Sequence, residues 1–79
     1  MITIYGMRGC GFCQMAVDKC IKYRLKYQYK DCGIRMFYQE LSELNVDMTK
    51  MPHILVDKTH IGDYNSLVDY IQSMMENTH

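Results

Sequence analysis

The chain opens on a short run of β-branched and aromatic residues, Ile2-Thr3-Ile4-Tyr5, which predicts a strand over residues 2–5. Residues 6–12 hold Gly6, Gly9 and Gly11 and predict a loop. From Cys13 to about Arg24 the period changes. Ala16, Val17, Cys20 and Ile21 fall at i, i+1, i+4 and i+5, the single stripe of a helix. Residues 26–31 alternate polar with aromatic and predict a second strand, whose lysines suit a sheet edge. Cys32-Gly33 breaks that pattern. Residues 35–44 predict a helix with Phe37, Leu41 and Leu44 on one side.

Residues 45–51 read as a loop. After Pro52, His53–Val56 predicts an apolar strand, Asp57-Lys58 a turn, and residues 59–61 the returning strand. Gly62-Asp63-Tyr64 predicts a bend. A last helix is expected from about Ser66 to Glu76, with Leu67, Val68, Ile71, Met74 and Met75 as its apolar face. Asn65 or Ser66 can cap it, with Asp69 three positions beyond Ser66. Residues 77–79 are expected to fray. The order is therefore β-α-β-α-β-β-α. The first βαβ unit is expected to be parallel and right-handed, and the last two strands to form a hairpin. Together they predict an α/β chain, residues 1–79 as one domain, with a four-stranded mixed sheet and three helices.

Composition narrows the function classes. A chain of 79 residues has room for one modest core. Nine basic and nine acidic side chains cancel, with no basic stripe to meet nucleic acid or an anionic membrane. No apolar run approaches the roughly 18–20 residues that span a bilayer. The N-terminus lacks the pattern of a secretory signal, so a reducing cytosol is the expected compartment. Four cysteines there point to catalysis or metal binding rather than to a disulfide framework.

Cys10-Gly11-Phe12-Cys13 carries the chemistry. Disulfide exchange requires a thiolate, and a free cysteine titrates at about 8.5. A helix N-terminus favours negative charge through its unpaired N–H groups and its dipole. Cys10 stands where a glycine loop meets a predicted helix, and Arg8 adds a positive charge two residues away. Three residues advance about 300° around a helix, so Cys13 lies on nearly the same side and can close a disulfide with Cys10. Cys13 is expected to point inward and stay protonated until used. A zinc site would need Cys10, Cys13, Cys20 and Cys32, but the wide gap between the last two fits two close pairs poorly. Cys20 lies on the apolar stripe and reads as a small buried hydrophobe. Cys32, in a loop beside Gly33, reads as a bystander or as a surface thiol open to glutathionylation. His53 and His60 read as strand residues with no assigned role.

Pro52 opens a predicted strand. It is compatible with an ordinary strand start. It is equally compatible with a cis Met51-Pro52 bond that frees the Met51 backbone to pair with an extended peptide, the reading the redox motif favours.

The Cys10–Cys13 motif, Met51-Pro52 and Ile61-Gly62-Asp63-Tyr64 stand in the order and spacing of glutaredoxins, and the likeness spans essentially the whole chain. The chain resembles the small dithiol members of phage or bacterial type. The resemblance implies a thioredoxin-like fold and reduction of protein disulfides and glutathione mixed disulfides. Glutathione would be the co-substrate, with no tightly bound cofactor or metal. Ribonucleotide reductase would be among the protein partners, and the protein would act as a monomer. By the same resemblance Cys10 is the nucleophile and Cys13 the resolving cysteine. Phe12 holds the aromatic position, usually Tyr. Met51, usually Val, offers its backbone to the glutathione cysteine beside Pro52. Gly62, Asn65 and Ser66 occupy the turn that holds the γ-glutamyl end.

The chain also departs from the family pattern. The usual Gly-Gly-Tyr-Thr-Asp turn is here Gly62-Asp63-Tyr64-Asn65-Ser66, so Ser66 replaces the aspartate and Asp63 is the nearest carboxylate. Arg8, Arg35 and Lys50 are the candidate cations for a glutathione carboxylate. Gly11 replaces the usual proline, and Cys-Gly-Phe also opens the motif of cluster-binding monothiol members. Two alternatives therefore stand beside the main reading. One is a glutathione-dependent [2Fe–2S] module. The other is a disulfide reductase recharged by a thioredoxin reductase.

Overall fold

Ile2–Gly6 forms β1 and is buried along its whole length. A strand covered on both faces needs apolar side chains in both directions. The computed structural model describes residues 1–76, so the expected fraying of residues 77–79 lies outside the described residues. Beyond β1 come α1 (Gly11–Lys22), β2 (Tyr27–Asp31), α2 (Arg35–Ser42), β3 (His53–Val56), β4 (Thr59–Gly62) and α3 (Tyr64–Glu76), in the predicted order. The sheet order is β2-β1-β3-β4. β1 runs parallel to β2 and antiparallel to β3, and β3 and β4 form the hairpin.

The alternation along β1 divides the core in two. Ile2 and Ile4 pack with Ile54, with Ala16 and Cys20 of α1, and with Leu67 and Ile71 of α3. Tyr5 packs the other way, with Leu55, Cys32 and Leu41 of α2. Helices α1 and α3 therefore cover one face and α2 the other. A polar network joins β1, β2 and α2: Lys30 Nζ donates to Glu40 Oε1 at 2.7 Å and the Tyr5 hydroxyl donates to the same oxygen at 2.9 Å.

Backbone geometry closes the elements. α1 ends with Arg24 in the left-handed region (φ 56°), where the Leu25 N–H reaches the Cys20 carbonyl at 2.8 Å. That is the usual helix stop, with arginine where glycine is commoner. Asp57 (φ 49°) and Lys58 (φ 73°) make the predicted hairpin turn with two left-handed residues.

Four expectations shift. α1 begins at Gly11 rather than Cys13, because Cys10 caps the helix. α2 stops at Ser42, and Leu44, beyond the stop, is exposed rather than on the apolar stripe. α3 begins at Tyr64, because Asp63 rather than Asn65 or Ser66 supplies the cap: its Oδ1 accepts the Ser66 N–H at 3.1 Å. Cys32 is 4% exposed, so it is a core residue rather than a surface thiol. Cys20 is buried, as its stripe position predicts.

Leu41 is the one buried residue of α2, so Leu41→Ala is expected to cost about 2–5 kcal/mol in urea unfolding. Leu44→Ala should stay within about 0.5 kcal/mol. The Lys30 and Tyr5 hydrogen bonds hold the Glu40 carboxyl below its ordinary 4.5. Their stabilisation is present above that value and is lost as acid titrates the folded carboxylate. Glu40→Gln should therefore flatten the acid limb of stability against pH in chemical denaturation.

Candidate active site

The loop after β1 turns tightly. Gly9 takes φ 79°, and the Cys10 N–H reaches back to the Met7 carbonyl at 3.3 Å. The chain then enters α1 with Cys10 as its N-cap. Cys10 Sγ accepts the Cys13 N–H at 3.3 Å, the place usually taken by a serine or aspartate oxygen. The thiol of Cys10 is 3.7 Å from the Met51 carbonyl and donates to it. Met51-Pro52 is cis.

The two cysteines differ in exposure. Cys10 is half-buried and Cys13 is 1% exposed. Burial, with a smaller contribution from the hydrogen bond to Cys10, pushes the Cys13 thiol up to about 12. Cys13 is thus held as a neutral thiol beside a sulfur that solvent can reach. Neither cysteine is in a disulfide.

The other predicted residues separate into groups. Met51, Pro52, Gly62, Asp63 and Ser66 share a cleft of about 530 Å³ that Thr49 and Lys50 also line. Gly62 has φ 134°, and a Cβ there would strike Ser66 Oγ, so only glycine fits this turn. Phe12 and Tyr64 meet outside that cleft, with ring centroids 5.8 Å apart, and bridge the starts of α1 and α3. Arg8 lines a second cleft, of about 520 Å³, with Cys10 and Cys13. Its guanidinium is exposed, and Nε lies 3.8 Å from Asp31 Oδ2. Asn65 is exposed and lines neither cleft, and Arg35 also lines neither. Of the three candidate cations, Lys50 is the one on the Met51 cleft.

Sequence reasoning missed the floor of that cleft. His53 is buried, with Nε2 2.7 Å from the Asp47 carbonyl and Nδ1 3.0 Å from His60 Nε2. A carbonyl only accepts, so His53 Nε2 carries the proton and His60 donates to His53 Nδ1. Burial and the neighbouring His53 hold His60 below the usual histidine range. The pair ties the loop before Pro52 to the hairpin. Single-sequence patterning gives no signal for such a contact between two strands. Among the described residues, no cluster of three or more His, Cys, Asp or Glu is arranged to hold a metal ion. No helix among them is long and apolar enough to cross a membrane.

Comparison with known proteins agrees with this geometry. The family model described as Glutaredoxin matches residues 2–61. No curated protein matches the chain. The structure of reduced Escherichia coli glutaredoxin is 27% identical over 95% of this chain and 96% of its own, with TM-score 0.74. The oxidised form of that protein is 26% identical over the same shares, also with TM-score 0.74. Glutaredoxin 1 from Francisella tularensis, complexed with cacodylate, shares the fold at TM-score 0.71 and 22% identity, over 96% of each chain. The cysteine-capped helix stands in a thioredoxin-like fold that matches these structures throughout, and the chain belongs to the glutaredoxin family of thiol–disulfide oxidoreductases.

Proposed function

We propose that this protein reduces protein disulfides and glutathione mixed disulfides, with Cys10 as nucleophile, Cys13 as resolving thiol and glutathione as the recharging co-substrate. The observation that carries the reading is the asymmetry of the pair: a reachable sulfur at a helix N-terminus beside a buried, protonated one.

In the first step the Cys10 thiolate attacks one sulfur of the substrate disulfide. A mixed disulfide forms and the other sulfur leaves as a thiolate that takes up a proton. The Cys13 N–H faces the attacking sulfur, and the helix dipole acts in the same direction. Two routes follow. Cys13 can attack Cys10 Sγ, closing the Cys10–Cys13 disulfide and releasing the reduced substrate. Alternatively, a glutathione thiolate can attack a glutathionylated Cys10, giving glutathione disulfide and the reduced enzyme. After closure, two glutathione molecules reopen the pair by the same exchange.

Glutathione is extended and carries carboxylates, which suits the cleft beside Met51. The Met51 backbone, Gly62 and Ser66 line its wall, and Lys50 supplies the cation. Asp63 and Ser66 stand in for the family's aspartate. Asp63 Oδ1 is engaged in capping α3, so the cleft meets the γ-glutamyl end with a capped turn. Phe12, Tyr64 and Arg8 form the surroundings of Cys10 toward protein substrates, with Asn65 at the outer edge of the turn. Ribonucleotide reductase is a candidate among those substrates, with the protein acting as a monomer in a reducing cytosol.

Cys10→Ser is expected to abolish reduction of both substrate classes in an NADPH-coupled assay with glutathione and glutathione reductase. Cys13→Ser should retain deglutathionylation of a glutathionylated peptide and lose protein-disulfide reduction. An active Cys10→Ser protein would overturn the assignment. Lys50→Ala should raise the glutathione KM by about threefold, the scale of one exposed ion pair, and Arg35→Ala should leave it unchanged.

A further inference from the structure

The exchange sequence requires Cys13 to become a nucleophile although its surroundings hold it neutral. A negative charge building on a buried sulfur needs a donor. The Cys13 sulfur faces β1 at Gly6 and β2 at Tyr29. A Cβ built at Gly6 would sit 2.5 Å from the Tyr29 hydroxyl oxygen and 2.9 Å from Cys13 Sγ. The phenol oxygen and the sulfur thus flank the space that the missing side chain leaves, without a hydrogen bond between them in the reduced protein. We propose that the Tyr29 hydroxyl donates a hydrogen bond to Cys13 Sγ as that sulfur attacks the mixed disulfide on Cys10, and so speeds the closing step. The inference rests on the roles given to Cys10 and Cys13 above.

Three observations support it. Among the described residues the hydroxyl makes no hydrogen bond to another group, so its proton is uncommitted. Burial, with a smaller contribution from the neighbouring Cys13, pushes the phenol up to about 12, so it remains a donor throughout the working range. Tyr29 also lines the second cleft together with Cys10 and Cys13, on the side away from Met51 and Pro52. The titratable groups that act on Cys13 are Cys10, the cap of its helix, and Cys32 just beyond β2, and Tyr29 of β2, which also feels Asp31, interacts with it from the sheet. The Met7 backbone N–H already donates to Cys13 and draws its thiol down against burial, and of the titratable groups only Tyr29 offers a second neutral donor with no disulfide chemistry of its own.

The step balances without a further reactant. The Cys13 thiol loses its proton to solvent through the open cleft, and its sulfur bonds to Cys10 Sγ. The Cys10–substrate S–S bond breaks, and the substrate sulfur leaves with the electron pair. The phenol keeps its proton and lends it only as a hydrogen bond.

Stopped-flow mixing with dithiobis(nitrobenzoate) reads both steps in one trace. Attack by Cys10 releases one coloured thiolate, and closure by Cys13 releases the second. Cys13→Ser should show the first release alone. Tyr29→Phe, which keeps the ring, should leave the first release unchanged and slow the second about tenfold. In that variant the rise of the closing rate with pH should also move to higher pH. If the second release is as fast in Tyr29→Phe as in the wild type, or if both releases slow equally, the role given to Tyr29 is wrong. If the wild type gives no Cys10-dependent first release, it is the underlying assignment of Cys10 that fails.

Discussion

The hydrogen bond from the Cys13 N–H to Cys10 Sγ organises the site. It makes a cysteine side chain the cap of α1, so that starting the helix and presenting the Cys10 sulfur are one structural event. The same bond fixes the spacing of the pair. The donor N–H belongs to Cys13, whose own side chain turns into the core against Gly6. One sulfur is left where solvent reaches it and the other where burial keeps it protonated.

The fold holds this cap from three sides. β1 is buried on both faces and delivers the loop that leads into Cys10. Ala16 and Cys20 anchor α1 on that strand, beside Leu67 and Ile71 of α3. The loop before β3 brings the Met51 carbonyl to Cys10, and the His53–His60 contact ties that loop to the hairpin. α3 starts where Asp63 caps it, so the turn at Gly62 faces the same cleft as Met51 and Pro52. Two capped helix starts and one loop therefore converge at the carboxyl end of β1.

Much of this was legible in the sequence, for physical reasons. Element type followed from period, because a helix stripe at Ala16, Val17, Cys20 and Ile21 and a β-branched run at residues 2–5 each fit one geometry. The redox motif was legible because its chemistry depends on local spacing. What stayed hidden depends on contacts between distant segments. The burial of Cys32 follows from α2 folding over it, which a loop position beside Gly33 does not reveal. The cap of α3 was placed two or three residues late, because aspartate, asparagine and serine all cap well and only the backbone chooses among them. Arg8, close to Cys10 in sequence, turns its guanidinium toward Asp31, which the order of residues cannot show. Tyr29 read as one aromatic of an edge strand, and only the fold shows its hydroxyl and Cys13 Sγ flanking the same space at Gly6.

The central claim is that helix capping selects one cysteine of four as the reactive one. Brief alkylation of the reduced protein at neutral pH, followed by peptide mass mapping, measures this directly. The account predicts that Cys10 takes the label first, with Cys13, Cys20 and Cys32 largely unmodified. Label on Cys13 as early as on Cys10 would contradict it.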